Sequence, residues 1–448
     1  MGLMRMGAAM VAALVIGILA AAEVRAFDGF GAMTADSTYD VEIRFDVELN
    51  GEVPDRLELL VRTPGSESSF VTVVEPEGEG EGGAVSYVLD TSVDHLTPNT
   101  LVTYQWRATD GDDVVLGPEQ TVRYEDDRDG LDWQRAQLGE ATVHWYGDAE
   151  AQARRFGELT AVGVERAEDL LGTQLAGPVD VFVYDSREDF FGALGPGARE
   201  WTGAAAYSEL RTIFMWLGGG SPAYLEVAMV HEVTHIVFFD ATDNAFHEPA
   251  RWLNEGIATW SEAEDAGGQR GIVEFEASGA GLFSFDAISE QFPIGERGGQ
   301  LSYAQGTTMV DLIIDRYGRE AIARMTAAYR DGGSDAEALE AATDLPADEL
   351  YAAFFEEFGV DQPEPITPEP IGASNVDRPL AGEVDAGGVD PDSVDEEPPA
   401  PPDSVPGERP SAGADDIAMP LLGLLAGAGI AAIAAAIWLS RRAARSQA

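Results

Sequence analysis

"AMVHEVTHIVF", residues 228–238, is the stretch on which the reading of this chain turns. The chain has five histidines in 448 residues, and His231 and His235 are two of them. They stand at i and i+4, one turn apart on one face of a helix, so both imidazoles can reach a single ion. Glu232 is rotated away by about 100° on a helix of 3.6 residues per turn. That is too far round for a close ligand, yet near enough to hold a metal-bound water. Two nitrogen ligands plus a general base is the logic of a hydrolytic metal site. Met229, Val230, Val233, Ile236, Val237 and Phe238 give the helix apolar neighbours suited to a low-dielectric cleft. The plain alternative is a helix that merely carries two packed or exposed histidines.

A hydrolytic zinc site needs a third protein ligand and one open position. "PARWLNEGIATWSEAE", residues 249–264, offers Glu255, 20 residues after His235. Pro249 suits a first helical turn, so Glu255 is expected to project from a helix. Trp252, Leu253, Ile257 and Trp260 recur at helical spacing and would pack it. The small residues Gly256 and Ala258 are expected to let the two metal-bearing helices approach closely. There is no cysteine, so any metal must be held by histidine and carboxylate.

"HEVTH" followed by "WLNEGIA" resembles the gluzincin metallopeptidases, and the second motif looks like that of aminopeptidase N-like enzymes. The region from about Ala141 to Gly359 is most similar to the bacterial peptidase MA-like domain, roughly half the chain. The resemblance implies a thermolysin/gluzincin-like α+β domain with one zinc ion (Zn2+) on His231, His235 and Glu255. It implies Glu232 as the base that activates the zinc-bound water. "LSYAQGTTMVDLIIDRYG", residues 301–318, looks like the segment that follows the metal site in this family. It makes Tyr303 the candidate for stabilising the oxyanion, with Gln305 a weaker one. "TIFMWL", residues 212–217, is expected as the edge strand above the zinc, where an extended peptide can pair by backbone hydrogen bonds.

The chain departs from the family pattern in two places. The Gly-x-Met-Glu-Asn exopeptidase motif is missing, which favours an endopeptidase over an aminopeptidase. Glu226, about one helical turn before the site, is a candidate partial substitute for its amine-binding glutamate. Thr259 also occupies the place where many gluzincins carry an aspartate that orients a zinc histidine. Glu262, on the same face as Glu255, is the leading replacement, with Asp240 and Asp243 as others. His247 reads as a loop histidine, and His95 and His144 as structural.

The net charge is −53, from 80 acidic against 27 basic residues, all of them arginine. Such a balance argues against nucleic acid as a partner, since phosphate neutralisation needs basic patches. Residues 1–26 read as a signal peptide, with a basic start, a 16-residue apolar run and "VRA" before the cut. Residues 417–440 read as a transmembrane helix, with 441–448 as a short cytoplasmic tail because "RRAAR" follows the span. The expected location is the cell membrane, single-pass, with the bulk of the chain extracellular. Residues 361–416 are acidic and Pro-rich without a core-forming pattern, and read as a disordered linker.

Residues 27–128 show short alternating segments punctuated by Gly, Pro, Asp and Asn, which fits a β-sandwich. Val41, Ile43, Phe45 and Val47 share one face, and Tyr104 and Trp106 are expected to point inward. "LTPNTLVTYQWRATD", residues 96–110, resembles the late strands of fibronectin type III and immunoglobulin-like domains. Residues 129–360 then read as the α+β peptidase domain, strands first and helices after. The expected function is a membrane-anchored extracellular zinc metallopeptidase acting on peptides or proteins. The alternative is a surface adhesion or cell-wall binding protein whose peptidase-like domain is inert.

Overall fold

The computed structural model describes residues 27–64, 69–75, 83–93, 95–195 and 203–363. The segments read as signal peptide, transmembrane helix and tail, and nearly all of the acidic linker, lie outside the described residues. Among the described residues no helix is long and apolar enough to cross a membrane. The chain forms two compact units. The first comprises the described residues up to Gln134 together with Trp145–Ala149 and residues 184–195. The second holds Arg135–His144, Glu150–Val183 and the described residues from 203 onward.

The first unit is built on eight strands: β1 (Phe27–Thr38), β2 (Glu42–Gly51), β3 (Arg56–Arg62), β4 (Phe70–Val73), β5 (Ala84–Asp90), β6 (Leu101–Asp110), β7 (Asp113–Leu116) and β8 (Gln120–Arg123). One sheet has the order β1-β2-β5 and the other β4-β3-β6-β7, with β8 also on β6. Every pairing given for these strands is antiparallel. Alternation decides which side chains face the core. Ile43, Phe45, Val47 and Leu49 of β2 meet Leu57, Leu59, Tyr104 and Trp106 there. Val41 does not join them. It precedes β2 and is half exposed, because the strand starts only at Glu42.

The second unit opens with β9 (Gln134–Leu138) and β10 (Ala141–Trp145), followed by α1 (Glu150–Leu171) and β11 (Val179–Tyr184). Next come α2 (Arg187–Leu194), which belongs to the first unit, then β12 (Ala204–Tyr207) and β13 (Thr212–Trp216). The sheet order is β12-β13-β11-β10-β9. The segment read as the edge strand, β13, therefore lies one place in, and among the described residues β12 is the edge. Three alanines and a tyrosine make β12, and so small and even a sequence gives no alternation from which to recognise a strand.

Helices α3 (Pro222–Thr242), α4 (Arg251–Ala263), α5 (Gly267–Ala277), α6 (Glu296–Tyr317), α7 (Glu320–Arg330), α8 (Asp335–Thr343) and α9 (Ala347–Glu357) complete the unit. The start of α3 is set by Ser221, whose hydroxyl accepts from the Tyr224 N–H, and by Pro222 at the first position. It packs between α1 and α4, with β12 and β13 also against it. This accounts for its being apolar around most of its circumference rather than along one stripe. α4 begins at Arg251, so Pro249 lies just outside the helix rather than in its first turn. Its close neighbour at Gly256 is also not the one expected. A Cβ there would stand 2.6 Å from the Gly306 carbonyl carbon, so the glycine pair lets α4 touch α6, not α3.

Candidate metal centre

α3 and α4 bring the three proposed ligands together. One ligand atom from each of His231, His235 and Glu255 lies within 4.8 Å of the others. The two Nε2 atoms are 3.1 Å apart. Glu255 Oε2 stands 3.4 Å from Nε2 of His231 and 3.5 Å from Nε2 of His235. All three side chains are largely withdrawn from solvent.

The outer atoms of the imidazoles are committed elsewhere. His231 Nδ1 is 2.9 Å from Glu262 Oε1, and His235 Nδ1 is 2.7 Å from Asn254 Oδ1. An Nδ1–H donating to each acceptor leaves both Nε2 lone pairs for a common ion, and fixes the ring orientations. Of the three acids named for the place of the missing aspartate, Glu262 is the one that reaches a histidine of the group. Thr259 is buried, and its hydroxyl has no hydrogen-bond partner among the described residues. Asp240 is instead held by Arg211, 2.8 Å away, and Asp243 caps the end of α3. Asn254 was missed by sequence reasoning, although its place beside Glu255 in "WLNEG" was a usable signal.

Glu255 Oε2 has no hydrogen-bond partner among the described residues. A buried carboxylate oxygen left bare is costly unless something cationic meets it. Burial favours a neutral Glu255, but His231 and His235 outweigh it and hold its pKa far below the carboxylate range. Burial likewise opposes charge on His231, yet Glu255 and Glu262 push its pKa well up. Two histidines and a carboxylate converging on one point with an unsatisfied oxygen are the donor set that zinc takes. The residues present fit the ion.

Glu232 lies beside this set. Its Oε2 accepts the Ala206 N–H of the edge strand β12 at 2.9 Å. Oε1 has no hydrogen-bond partner among the described residues. Tyr303 sits well inside α6, since the helix starts at Glu296 rather than near Tyr303 itself. Its ring is 6.3 Å from His231 and 5.3 Å from Phe292. Burial first, then the charges of Glu255 and Glu232, keep the phenol protonated and available as a donor. Tyr224, two helical turns before His231, also feels burial, Glu232 and Glu262, which raise its pKa. Sequence reasoning missed it, although its i−7 spacing from His231 puts it on the ligand face.

Other candidates fall away from the centre. Gln305 is buried and bonds both ways to the backbone of Phe283. Glu226 is engaged by Arg155, through Nε at 3.2 Å and through a second nitrogen at 3.0 Å. His144 pairs with Asp180 and stacks on Phe182, while His95 contacts the Ala193 carbonyl. His247 is exposed in the loop before α4.

The profile of the Peptidase MA superfamily matches residues 160–354. That span contains every residue of the centre. No match is found among curated proteins. Among solved structures, a two-domain M1 zinc metallopeptidase bound to L-tryptophan is 15% identical, with a TM-score of 0.33. The match covers 77% of this chain and 98% of that one. An aminopeptidase N family protein from Idiomarina loihiensis is 10% identical, with a TM-score of 0.27. The match covers 75% of this chain and 58% of that one. The superfamily match and the His-His-Glu group together support a zinc peptidase.

Proposed function

We propose that the chain is a zinc-dependent endopeptidase, anchored in the cell membrane with its folded units outside. The observation that carries the catalytic reading is the bare Oε2 of Glu255 set between two Nε2 atoms whose rings are locked from behind.

His231, His235 and Glu255 would hold the zinc ion, which supplies Lewis acidity to the reacting oxygen atoms. Glu232 acts as the general base. With Oε2 fixed by Ala206 N–H, Oε1 is free to accept a proton from the attacking water and to return it to the leaving nitrogen. Tyr303 keeps its proton near neutral pH, so its O–H can donate to charge developing on the carbonyl oxygen. The edge strand β12 offers an extended peptide a backbone to pair with, which demands little of its sequence.

The preference for internal bonds rests on two features. β12 has only alanine and tyrosine, so the edge presents no carboxylate to hold a free amino terminus. Glu226, the one candidate substitute, is neutralised by Arg155. Membrane anchoring and the extracellular location rest on the apolar segments near the two ends, outside the described residues.

The test is zinc content together with cleavage of a mixed peptide library by the full chain and by Glu232→Gln. Zinc near one per chain, with internal cleavage that the variant loses, is the expected result. A folded chain that takes up no zinc, or a variant that still cleaves, overturns it. Protease accessibility of the folded units on intact cells checks the location.

A further inference from the structure

Arg251 opens α4 one turn before Glu255, and a loose i,i+4 ion pair with that residue is its only partner in the helix among the described residues. The first turn is the positive end of the helix dipole, where arginine is disfavoured. Its i,i+4 partner is Glu255, in the order Arg then Glu, the weaker orientation of such a pair. The nearest nitrogen is 3.7 Å from Glu255 Oε1, beyond hydrogen-bond range. The guanidinium makes no hydrogen bond among the described residues. Arg155, Arg211, Arg270 and Arg297 of the same unit each hydrogen-bond a carboxylate.

Arg251 is nevertheless held in place. Its guanidinium carbon lies 5.1 Å from the centre of the Phe292 ring, and Phe292 packs edge-on against Tyr303. The side chain is 43% exposed. A planar cation with free donors is therefore fixed beside Oε1 of Glu255, while Oε2 is the oxygen near the two histidines, and it lies within reach of solvent. Glu232, Glu255 and Glu262 surround the centre with negative charge. A zinc ion at the centre would offset only two of these three charges, so a further cation favours an anionic group on a substrate.

We infer that Arg251 selects peptides carrying a carboxylate on a residue flanking the scissile bond, which it takes by a two-pronged guanidinium contact. Consecutive residues are about 3.8 Å apart, so a group on the flanking residue falls within the reach of a side chain one turn from a ligand. The carboxylate has two sources, an Asp or Glu side chain or the chain terminus of a short peptide. The inference rests on the peptidase reading above.

The experiment uses the full zinc-loaded chain and peptides in matched pairs. One series exchanges Glu for Gln on each side of the cleaved bond, and another exchanges a terminal carboxylate for an amide. The wild type is expected to favour the carboxylate member by about tenfold in kcat/KM, mainly through KM. The series that shows the preference names the source. Arg251→Gln should bring the ratio close to one, and Arg251→Glu should reverse it towards peptides with Arg or Lys at that position. An unchanged ratio in Arg251→Gln overturns the inference. So does a uniform slowing of all peptides with weaker zinc binding, because Arg251 would then only position Glu255.

A second arm is independent of turnover. Calorimetry on Glu232→Gln, with and without Arg251→Gln, measures binding of the same pairs. Tighter binding of the carboxylate member that disappears with Arg251 supports the inference, and equal binding overturns it. A wild type that cleaves nothing would sink the peptidase reading, while this arm would still decide whether Arg251 takes a carboxylate.

Discussion

Glu58 of the β-sandwich and Glu255 of the helical unit are both withdrawn from water, and their surroundings treat them oppositely. Glu58 accepts from Arg56 Nε at 2.9 Å on one oxygen and from Arg107 Nε at 2.6 Å on the other. Its pKa is lowered by the hydrogen bonds of Arg107 and then Arg56, against the opposing effect of burial. Glu255 has a loose arginine on one oxygen and only imidazole nitrogens near the other. A buried carboxylate has to be answered by something. In the sandwich the chain completes the answer itself, and the group is structural. At the His-His-Glu group the answer is left incomplete, in an arrangement that fits a three-ligand ion site.

The largest effect that can break this contrast belongs to Glu232, which touches neither buried glutamate. Glu232→Gln keeps every ligand and should keep zinc, yet should lower kcat by 10²–10⁴-fold, about the range for losing a general base. Single-turnover cleavage alongside zinc content measures both. Retained zinc with lost cleavage separates the base from the ligands. Loss of both would mean that its bond to Ala206 mainly holds the site together.

Next is the ligand itself. Glu255→Ala should weaken zinc binding by more than about a hundredfold, beyond what changes behind a ligand produce. Zinc should raise the thermal midpoint of the wild type and leave that of the variant unmoved, because only a protein that binds the ion gains from mass action. Calorimetric scans with and without zinc read this directly. Glu58→Ala serves as the counterpart, since it should lose stability and keep the zinc response.

How much of this was legible in the sequence follows from what each feature needs. His231 and His235 were readable because a rare residue type at helical spacing constrains position without knowledge of the fold, while Glu232 was marked by its place beside His231 and Glu255 by its apolar helix 20 residues on. Tyr303 was placed only through the resemblance, and nothing local told that α6 begins at Glu296, since the glycines at 298 and 299 hide its first turns. β12 was invisible, because three alanines have no polar–apolar alternation. The Gly256–Gly306 contact depends on which helices become neighbours, which spacing along one helix does not say. Asn254 and Glu262 stand between these cases. Their positions on α4 were open to the helical wheel, but their pairing with particular Nδ1 atoms required the crossing of α3 and α4.

A smaller effect sharpens the contrast from behind the ligands. Glu262→Gln should weaken zinc binding about 10–100-fold while leaving the centre able to fill at high zinc. Thr259→Ala should do nothing comparable, because the Thr259 hydroxyl makes no hydrogen bond among the described residues. Competition with a chelator ranks the two variants against the wild type. Equal affinities for wild type and Glu262→Gln would remove Glu262 from the role assigned to it.

The smallest effect tests the structural member of the pair. Glu58→Gln leaves two arginines short of their carboxylate, but both are partly exposed and water takes over some of the loss. The cost should be about 1.5 kcal/mol in urea unfolding, towards the low end for hydrogen bonds to charged groups. The pH dependence carries a definite sign. Because the folded-state pKa of Glu58 is depressed, its contribution is fully present above the ordinary carboxylate value of 4.5 and is lost as pH falls through the folded value. The stability gap between wild type and Glu58→Gln should therefore be constant near neutrality and close on the acid side of 4.5, with zinc binding in neutral solution the same in both proteins. A gap that widened on acidification would mean that Glu58 is protonated in the folded state, and the two glutamates would no longer differ in the way the hydrogen bonds require.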